Sequence, residues 1–287
     1  MRADKDGEDL SKIGILYICT GQYSLFWSDF YRTFSDRFCN ASELHFFVFS
    51  DREDMLLGGN DSAVHFKKID NQPWPLVTLL RFNIFLSVEP DLMEMDYLFF
   101  FNANMVCKEM VMEEEILPSP DERLVFVRHP GYMNTGKIFM PYDRNPHSSA
   151  YIPYNRGDLY VIGAVEGGEA AAFIALCRML KDNIEKDLKQ NIIAKWHDES
   201  HINHYVHTEA GKGCKILPPS YCYPVGFDVP CESKIAGVSK QDRFDVAQFK
   251  TVRVKQGFLK KCVRKVWENI APFVLFIKSC LLFEEVR

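Results

Sequence analysis

The sequence predicts an α/β fold, with a doubly wound mixed sheet flanked by helices in a single domain. Apolar runs of strand length recur at 13–19, 44–49, 64–69 and 96–101. Segments with apolar residues at helical spacing lie between them, at 23–38 and 77–88. Strands that alternate with helices in this way favour parallel strands joined by right-handed crossovers.

The first strand, residues 13–19, is followed by the turn residues Thr20 and Gly21. A helix over 23–38 and a strand over 44–49 complete a βαβ unit. No GxGxxG follows Cys19, and no GxxxxGK[ST] occurs in the chain. The sheet therefore carries neither the dinucleotide fingerprint nor a P-loop.

The strand over 96–101 ends on two small amides, Asn102 and Asn104. Ligands of open α/β sheets bind just beyond the carboxyl ends of the strands. This stretch is therefore our first candidate for a nucleotide or sugar site. An ordinary Asx turn explains the same residues, and the stretch by itself does not decide between the two.

The second half of the chain differs in character. Residues 118–168 are rich in Pro, Gly and Tyr, which is typical of a ligand-binding surface carried on loops. Helices are predicted over 169–191 and 196–205, and irregular structure over 208–256. Basic and apolar residues alternate in 257–283, which favours a helix lying on an anionic membrane over its alternative, a helix packed on the domain.

Composition bounds the class of protein. The chain has 287 residues, of which 47% are hydrophobic and 25% charged, and this is globular. Its net charge of −5 argues against nucleic acid as a partner. Nine cysteines without a CxxC pair fit a reduced, intracellular chain. Residues 1–11 are predicted to be a disordered leader without the apolar region of a signal peptide.

The segment Trp196-His-Asp-Glu-Ser200 is the strongest candidate for a catalytic or ligand-binding motif. His197, His201 and His204 share a helical face, but Asp stands where the HExxH zinc motif needs Glu, so a zinc hydrolase is disfavoured. Adjacent carboxylates beside a Trp suit a sugar, because sugars stack on aromatic rings and bind charged acceptors. Acids that cap a helix N-terminus are the plainer interpretation.

The chain resembles glycosyltransferase family 6, which includes the histo-blood-group A and B transferases and the α-1,3-galactosyltransferases. The resemblance runs from residue 13 to about 224. Its anchors, in order along the chain, are Tyr97-Leu98 leading to Asn102-Ala-Asn104, His129-Pro-Gly-Tyr132, Ala150-Tyr-Ile-Pro153, Gly167-Gly168 and Trp196-His-Asp-Glu-Ser200. It implies a GT-A fold, a UDP-sugar donor and retention of the anomeric configuration.

The resemblance also implies roles for individual residues. Asp198 matches an aspartate that grips the donor sugar, and Glu199 matches a glutamate that acts as nucleophile or oxocarbenium stabiliser and contacts the acceptor. Trp196 and His129 match contacts to the acceptor galactose. The residues that match donor contacts are Ile18, Thr20, Tyr23, Val77 and Arg81.

One departure concerns a metal. Vertebrate members carry Asp-x-Asp, which holds Mn²⁺, where this chain has Asn102-Ala-Asn104. Neutral amides are weak ligands for a hard dication, and the resemblance is closest to the bacterial Asn-x-Asn branch, which works without metal. We therefore expect no metal requirement. Amide N–H donors and a basic residue from 234–265, with Lys240 as the candidate, would then neutralise the diphosphate.

Ile162, Gly163 and Ala164 bear on the donor. They match the residues that line the pocket for the C2 substituent, where the B-type enzyme reads Met-Gly-Ala and the A-type enzyme Leu-Gly-Gly. The methyl of Ala164 takes space that an N-acetyl group needs. UDP-Gal is therefore favoured over UDP-GalNAc, by the ~1–3 kcal/mol that such a pocket difference provides.

We therefore expect a metal-independent, retaining α-1,3-galactosyltransferase acting on a galactoside, with fucosylated and lipid-linked acceptors as options. The alternatives are an A-like N-acetylgalactosaminyltransferase and, from another class, a glycan-binding protein without turnover. The catalytic domain is expected over 12–250, with a nucleotide-binding half over 12–105 and an acceptor half over 106–230. The tail, 251–287, would attach a cytoplasmic enzyme to the inner face of the cytoplasmic membrane.

Overall fold

The computed structural model describes residues 10–56, 61–226 and 231–244. Its strands are β1 (Lys12–Ile18), β2 (Glu43–Ser50), β3 (Val64–Lys68), β4 (Tyr97–Phe101), β5 (Met105–Cys107), β6 (Leu124–Arg128), β7 (Val161–Glu169), β8 (Lys215–Leu217) and β9 (Ile235–Gly237). Its helices are α1 (Trp27–Arg37), α2 (Leu76–Leu79), α3 (Arg81–Leu86), α4 (Glu89–Leu92), α5 (Glu113–Ile116), α6 (Ala170–Lys189) and α7 (His197–Val206). Short 3₁₀ turns include Gly21–Phe26 and Pro219–Cys222.

Within the described ranges, seven strands form one sheet in the order β3-β2-β1-β4-β7-β6-β8. The first four strands in that order are parallel, β7 is antiparallel to both of its neighbours, and β6 and β8 are parallel. A small antiparallel pair joins β5 to β9. This is the predicted α/β fold, a mixed GT-A-like sheet in a single domain.

The alternation of side chains along β1 builds the two layers of core. Ile15 and Tyr17 face the helix α1, with Phe30 among their neighbours. Leu16 faces the opposite side, where α3 and α6 pack. A central parallel strand must be apolar on both faces because helices cover both, which is why 13–19 reads as an unbroken apolar run.

The predicted strands and helices of the first hundred residues are confirmed, within a few residues at each end. The predicted helix over 23–38 begins as a 3₁₀ turn before α1, and the one over 77–88 is divided into α2 and α3. The later helices are confirmed as α6 and α7.

Two predictions about loops were wrong. The segment 118–168 contains β6 and most of β7, and the segment 208–256 contains β8 and β9. Glycines at 163, 167 and 168 make β7 look like a turn. They are instead sites of close approach, since a Cβ at Gly167 would lie 2.2 Å from the Phe99 ring.

An irregularity in β7 shapes the site. Phe126 of β6 pairs with Glu166, yet the next residue, Val127, pairs with Ile162. The β7 backbone at 163–165 therefore does not pair with β6, whereas Val165 still pairs with Phe101 of β4.

Several predictions fall outside the described residues. These are the order of residues 1–9 and the whole tail, 251–287, with its proposed membrane-facing stretch, 257–283. Among the helices that are described, none combines the length and the apolar character needed to cross a bilayer.

Candidate active site

The site lies where the strand order reverses. From β1 the chain proceeds to β2 and β3 on one side, and it then returns to β4 on the other side. Thr20 and Asn102 follow the carboxyl ends of these two adjacent parallel strands. The Tyr17 hydroxyl donates to the Ala103 carbonyl at 3.0 Å and ties the two ends together. Such a switch point is the usual ligand site of an open α/β sheet.

The predicted uridine residues divide between two places. Ile18 ends β1, Thr20 is buried just beyond it, and Tyr23 lies in the 3₁₀ turn that follows. Val77 lies on α2, which packs against α7. Lys240 comes from far along the chain, and its Nζ lies 5.1 Å from the centre of the Tyr23 ring. Lys240, the basic residue predicted to neutralise the diphosphate, therefore lies beside Tyr23, a predicted uridine contact.

Asn104 holds the segment that carries Lys240. Its side-chain Nδ2 donates to the Val238 carbonyl at 2.8 Å, and the Val238 amide donates to the Asn104 carbonyl at 2.8 Å. A carboxylate at this position would face the Val238 oxygen without a proton to donate. The Asn104 side-chain amide is thus used as a donor, and the neutral amide oxygens of Asn102 and Asn104 are weak ligands for a hard dication such as Mn²⁺. These two residues do not fit such an ion.

Helix α7 presents the two predicted catalytic carboxylates. Asp198 and Glu199 lie in its first turn, where the helix dipole favours negative charge. Asn203 fixes the helix to β7, because its amide bonds both the N–H and the C=O of Val161, at 2.9 and 2.8 Å. The acids are therefore first-turn acids, as the plainer interpretation had it, but their side chains are also engaged elsewhere.

Glu199 is held by two donors. The Tyr160 hydroxyl donates to Oε1 at 2.7 Å, and the Gly163 amide donates to Oε2 at 2.8 Å. Burial raises the pKa of Glu199 above its ordinary value, while these two hydrogen bonds oppose the rise. The result is a fixed carboxylate at the irregular part of β7.

Arg81 lies behind Asp198. Its Nη1 is 3.2 Å from Asp198 Oδ2 and donates to the Gly163 carbonyl at 2.8 Å. Its Nη2 donates to Glu166 at 2.9 Å, and its guanidinium lies over the Phe100 ring. Arg81 is only 3% exposed. The role in donor binding that the resemblance implies stays a prediction, and the structure shows Arg81 paired with Asp198.

Of the two predicted acceptor residues, His129 shares a neighbour with Glu199, because both lie against Tyr160. The centre of the His129 ring lies 4.7 Å from that of Tyr132, with the two rings tilted by 52°, and 5.7 Å from that of Tyr160. Its Nδ1 accepts from the Gly131 amide at 3.0 Å, and burial lowers its pKa to about 4, so the proton of the neutral ring is on Nε2. Trp196 is 45% exposed and immediately precedes α7. A polar donor and an exposed indole suit a sugar.

The residues at 162–164 lie between the end of β4 and Glu199. The Ala164 carbonyl accepts from the backbone N–H of Asn102 at 2.9 Å, so the residue after β4 and the irregular part of β7 are bonded directly. A Cβ at Gly163 would lie 3.0 Å from the Glu199 Cβ. The structure thus brings the predicted donor-pocket residues beside both Asn102 and Glu199, the predicted catalytic glutamate.

The zinc alternative finds no support in the geometry. His201 is buried, and the Nδ1 of His204 lies 2.8 Å from the Tyr151 carbonyl. Across the described ranges, no group of three or more His, Cys, Asp and Glu side chains is placed to hold a metal ion.

Sequence reasoning missed three residues that position the predicted ones. Tyr160 and Asn203 bond Glu199 and its helix, and Glu166 bonds Arg81. Glu166 carried a signal that could have been used, since a lone acid inside the apolar strand Val161–Glu169 needs a buried partner. Tyr160 and Asn203 carried none, because their partners are distant in sequence.

The mixed seven-stranded sheet with helices on both faces is the GT-A-like fold of sugar-transferring enzymes. The family model for glycosyltransferase family 6 matches residues 8–246. The chain belongs to glycosyltransferase family 6 and is a hexosyltransferase.

The relatives are bacterial and vertebrate. The chain is 37% identical to the O-antigen biosynthesis glycosyltransferase WbnI of Escherichia coli, over 78% of this chain and 92% of that protein. It is 30% identical to globoside alpha-1,3-N-acetylgalactosaminyltransferase 1 of Gallus gallus, over 74% of this chain and 61% of that protein. It is 29% identical to histo-blood group ABO system transferase 2 of Rattus norvegicus, over 74% and 63% respectively. The chain thus spans less than two thirds of these vertebrate relatives.

Proposed function

We propose that the protein is a retaining, metal-independent α-1,3-galactosyltransferase that moves galactose from UDP-Gal to the 3-hydroxyl of a galactoside. The C1–O bond to UDP breaks, a bond from the acceptor 3-oxygen to C1 forms, and the hydroxyl proton leaves with the products. The observation that carries the proposal is the placement of Glu199, held by Tyr160 and Gly163, beside the 162–164 segment.

Glu199 suits the reacting face of the donor sugar. Retaining sugar transfer needs a carboxylate that stabilises or attacks an oxocarbenium-like carbon. Two donors fix this carboxylate, so little reorganisation is needed as positive charge develops. Asp198, oriented by Arg81, is placed to accept hydrogen bonds from sugar hydroxyls.

The leaving diphosphate needs positive charge or hydrogen-bond donors if no metal takes part. The Asn104 amide is committed to Val238 and thereby holds the segment that contains Lys240 near Tyr23. We assign to Lys240 the neutralisation of the diphosphate, and to Asn102 a donor contact to it. A metal that acts as a Lewis acid supplies several kcal/mol at such a site, and this is what the Lys240 charge has to replace.

The choice between donors depends on Ala164, which is buried in the middle of the irregular segment at 163–165. Its methyl group favours UDP-Gal. The second candidate, transfer of GalNAc, is supported by the chicken and human relatives, both of which are globoside alpha-1,3-N-acetylgalactosaminyltransferases.

The test is release of UDP from UDP-Gal and UDP-GalNAc, side by side in EDTA, with and without a fucosylated galactoside. We expect faster turnover of UDP-Gal, unchanged when Mn²⁺ is added. Faster turnover of UDP-GalNAc would reverse the donor assignment. Activity that EDTA abolishes and Mn²⁺ restores would overturn metal independence. A protein that binds glycan and turns over neither donor would belong to the glycan-binding class.

Single-residue variants in the same assay test the roles assigned to Lys240 and Glu199. Lys240→Gln should weaken UDP binding, whereas Glu199→Gln should abolish turnover and leave UDP binding intact. Lys212→Gln, an exposed lysine on a distant turn, is the matched control for the loss of one positive charge.

We further propose that the enzyme works at the inner face of the cytoplasmic membrane on a lipid-linked acceptor. The support is the sequence of 257–283, in which Lys260, Lys261, Arg264 and Lys265 alternate with apolar residues. Removal of 257–287 should release the protein from vesicles that contain anionic lipid. Equal sedimentation of the two proteins with such vesicles would contradict this.

A further inference from the structure

Glu166 is a carboxylic acid at the centre of the sheet. It is completely buried in β7, where it pairs with Phe100 of β4 on one side and Phe126 of β6 on the other. A carboxylate in such surroundings is costly unless a cation and hydrogen bonds compensate. The hydrogen bond that the described structure gives to Glu166 comes from Arg81, at 2.9 Å.

Arg81 in turn connects three elements. It begins α3, its Nη2 bonds Glu166 of β7, and its Nη1 bonds the Gly163 carbonyl and lies 3.2 Å from Asp198 of α7. Glu166, Arg81 and Asp198 therefore form a continuous chain of ion pairs from the buried sheet to the site.

We propose that Glu166 is a positioning residue for sugar transfer, because it holds Arg81 against Asp198 and so fixes the carboxylate that faces the donor sugar. This inference rests on the proposed function. Glu166 touches neither donor nor acceptor, and its effect reaches the sugar through Arg81 and Asp198.

A purely structural role accounts less well for this residue. Apolar residues of similar volume often replace a buried ion pair without loss of stability, or with a gain. The neighbours of Glu166 on the flanking strands are phenylalanines, so a hydrophobic side chain would suit the position. A carboxylate there provides what an apolar side chain cannot, namely a fixed orientation for the Arg81 guanidinium.

The charges around Glu166 predict a pH dependence. Burial raises the pKa of Glu166 to about 7; Arg81 opposes the rise, and the nearby Asp198 and Glu199 add to it. The Cys177 thiol also faces Glu166, and the pKa of that thiol is raised by burial and by the Glu166 charge. Above pH 7 the ionised carboxylate holds Arg81 firmly. Below it the neutral acid holds Arg81 less well, so turnover should decline.

The experiment compares Glu166→Gln with the wild-type chain. Glutamine has the same shape and mimics the protonated acid. We expect kcat for UDP-sugar turnover to fall about tenfold at pH 8, the size of a lost charge-assisted hydrogen bond. The difference from wild type should shrink towards pH 6, because the wild-type acid is then protonated too. The affinity for UDP alone should stay unchanged, since UDP lacks the sugar.

Glu169→Gln is the matched control. Glu169 lies on the same strand and also pairs with an arginine, Arg123, at 2.8 Å, but at the protein surface. It should behave as wild type at both pH values. Thermal unfolding of each variant checks the fold. If Glu166→Gln does not fold, Glu166→Asp replaces it, and that variant should lose kcat and keep a pH dependence.

Two failures are distinguishable. A wild-type chain that turns over no UDP-sugar would overturn the proposed function. The positioning role of Glu166 would then be tested by binding alone, as the ratio of the affinity for UDP-Gal to the affinity for UDP in Glu166→Gln and in the wild type. An active wild type whose pH profile and kcat are matched by Glu166→Gln would overturn the positioning role.

Discussion

The Gly163 amide donates to the Glu199 carboxylate at 2.8 Å, and the two residues are packed so closely that a Cβ on Gly163 would lie 3.0 Å from the Glu199 Cβ. Gly163 thus donates a hydrogen bond to Glu199, the proposed catalytic glutamate, and its lack of a side chain leaves space for the Glu199 side chain. This contact joins the irregular part of β7 to the first turn of α7, and the shape of the site depends on it.

Gly163→Ala should move Glu199 away from its two donors. The added methyl must displace the glutamate by some tenths of an ångström, and small displacements of a reacting group are costly. We expect kcat to fall about 10- to 100-fold with little change in UDP affinity. Gly136→Ala, where the nearest atom is 3.8 Å from the added Cβ, is the control. Unchanged kcat in Gly163→Ala would remove this contact from the mechanism.

Tyr160→Phe removes one donor from Glu199. The Tyr160 hydrogen bond lowers the pKa of Glu199, so its loss raises that pKa further. The fraction of ionised Glu199 at a given pH then falls, and the acidic limb of the kcat/KM profile should move to higher pH. A loss of about tenfold at neutral pH matches a hydrogen bond to a charged group.

Tyr142→Phe provides the comparison, because the Tyr142 hydroxyl bonds the Leu159 carbonyl and not Glu199. Tyr142→Phe should leave the acidic limb of the kcat/KM profile at the pH of the wild type. If this limb stays at the same pH in both variants, the ionisation of Glu199 does not determine it.

Asn104→Asp should loosen the segment that carries Lys240. A carboxylate cannot donate to the Val238 carbonyl, and its charge is repelled by that oxygen. We expect UDP affinity to drop about tenfold, measured by calorimetry in EDTA. Asn104→Leu removes the hydrogen bond without adding charge and should lose less. Equal UDP affinity in all three proteins would show that the hydrogen bond to Val238 does not support the donor site.

Ala164→Gly should shift the choice of donor. Loss of the methyl opens space at the C2 substituent, so GalNAc transfer should rise relative to Gal transfer by up to about tenfold. The measurement is the ratio of kcat/KM for the two donors in competition. A ratio that does not change would place the determinant elsewhere in the site.

His201 should make the protein sensitive to acid. It is 1% exposed, its ring nitrogens have no hydrogen-bond partner in the described structure, and burial lowers its pKa from 6.5 to about 4. The unfolded chain binds the proton more readily, so stability falls as the pH drops from about 6.5 to 4, by on the order of 3 kcal/mol.

His201→Leu should flatten this decline in a series of thermal unfolding measurements, whereas His147→Gln, at an exposed histidine, should not. An equally steep decline in the Leu variant would assign the acid sensitivity to other groups.

The spacing of apolar residues was sufficient to predict most of the longer strands and helices. The four parallel strands and the helices α1, α6 and α7 follow from apolar spacing, because each buries one face or both against neighbours. The motif at 196–200 and the amides at 102 and 104 were also visible, since polar residues at the ends of strands and helices are distinctive.

The prediction failed at β7, where the local signal was misleading. Its glycines resemble a turn, yet they allow Phe99 and the β6 backbone to approach closely. The three-residue β8 and β9 were missed for a different reason, because strands of that length have no period to detect.

The sequence by itself determined the class of fold, the family and the residue types of the site. Tertiary structure alone decided how they meet: Arg81 bonds Gly163 across 82 residues, Tyr160 bonds Glu199 across 39, and Asn104 bonds Val238 across 134. Periodicity reports which side of an element is buried, but it carries no information about which distant side chain lies opposite. That pairing is fixed only when the sheet order brings β4, β7 and the segment after β9 together, and the cost of an unpaired buried charge then selects the partners.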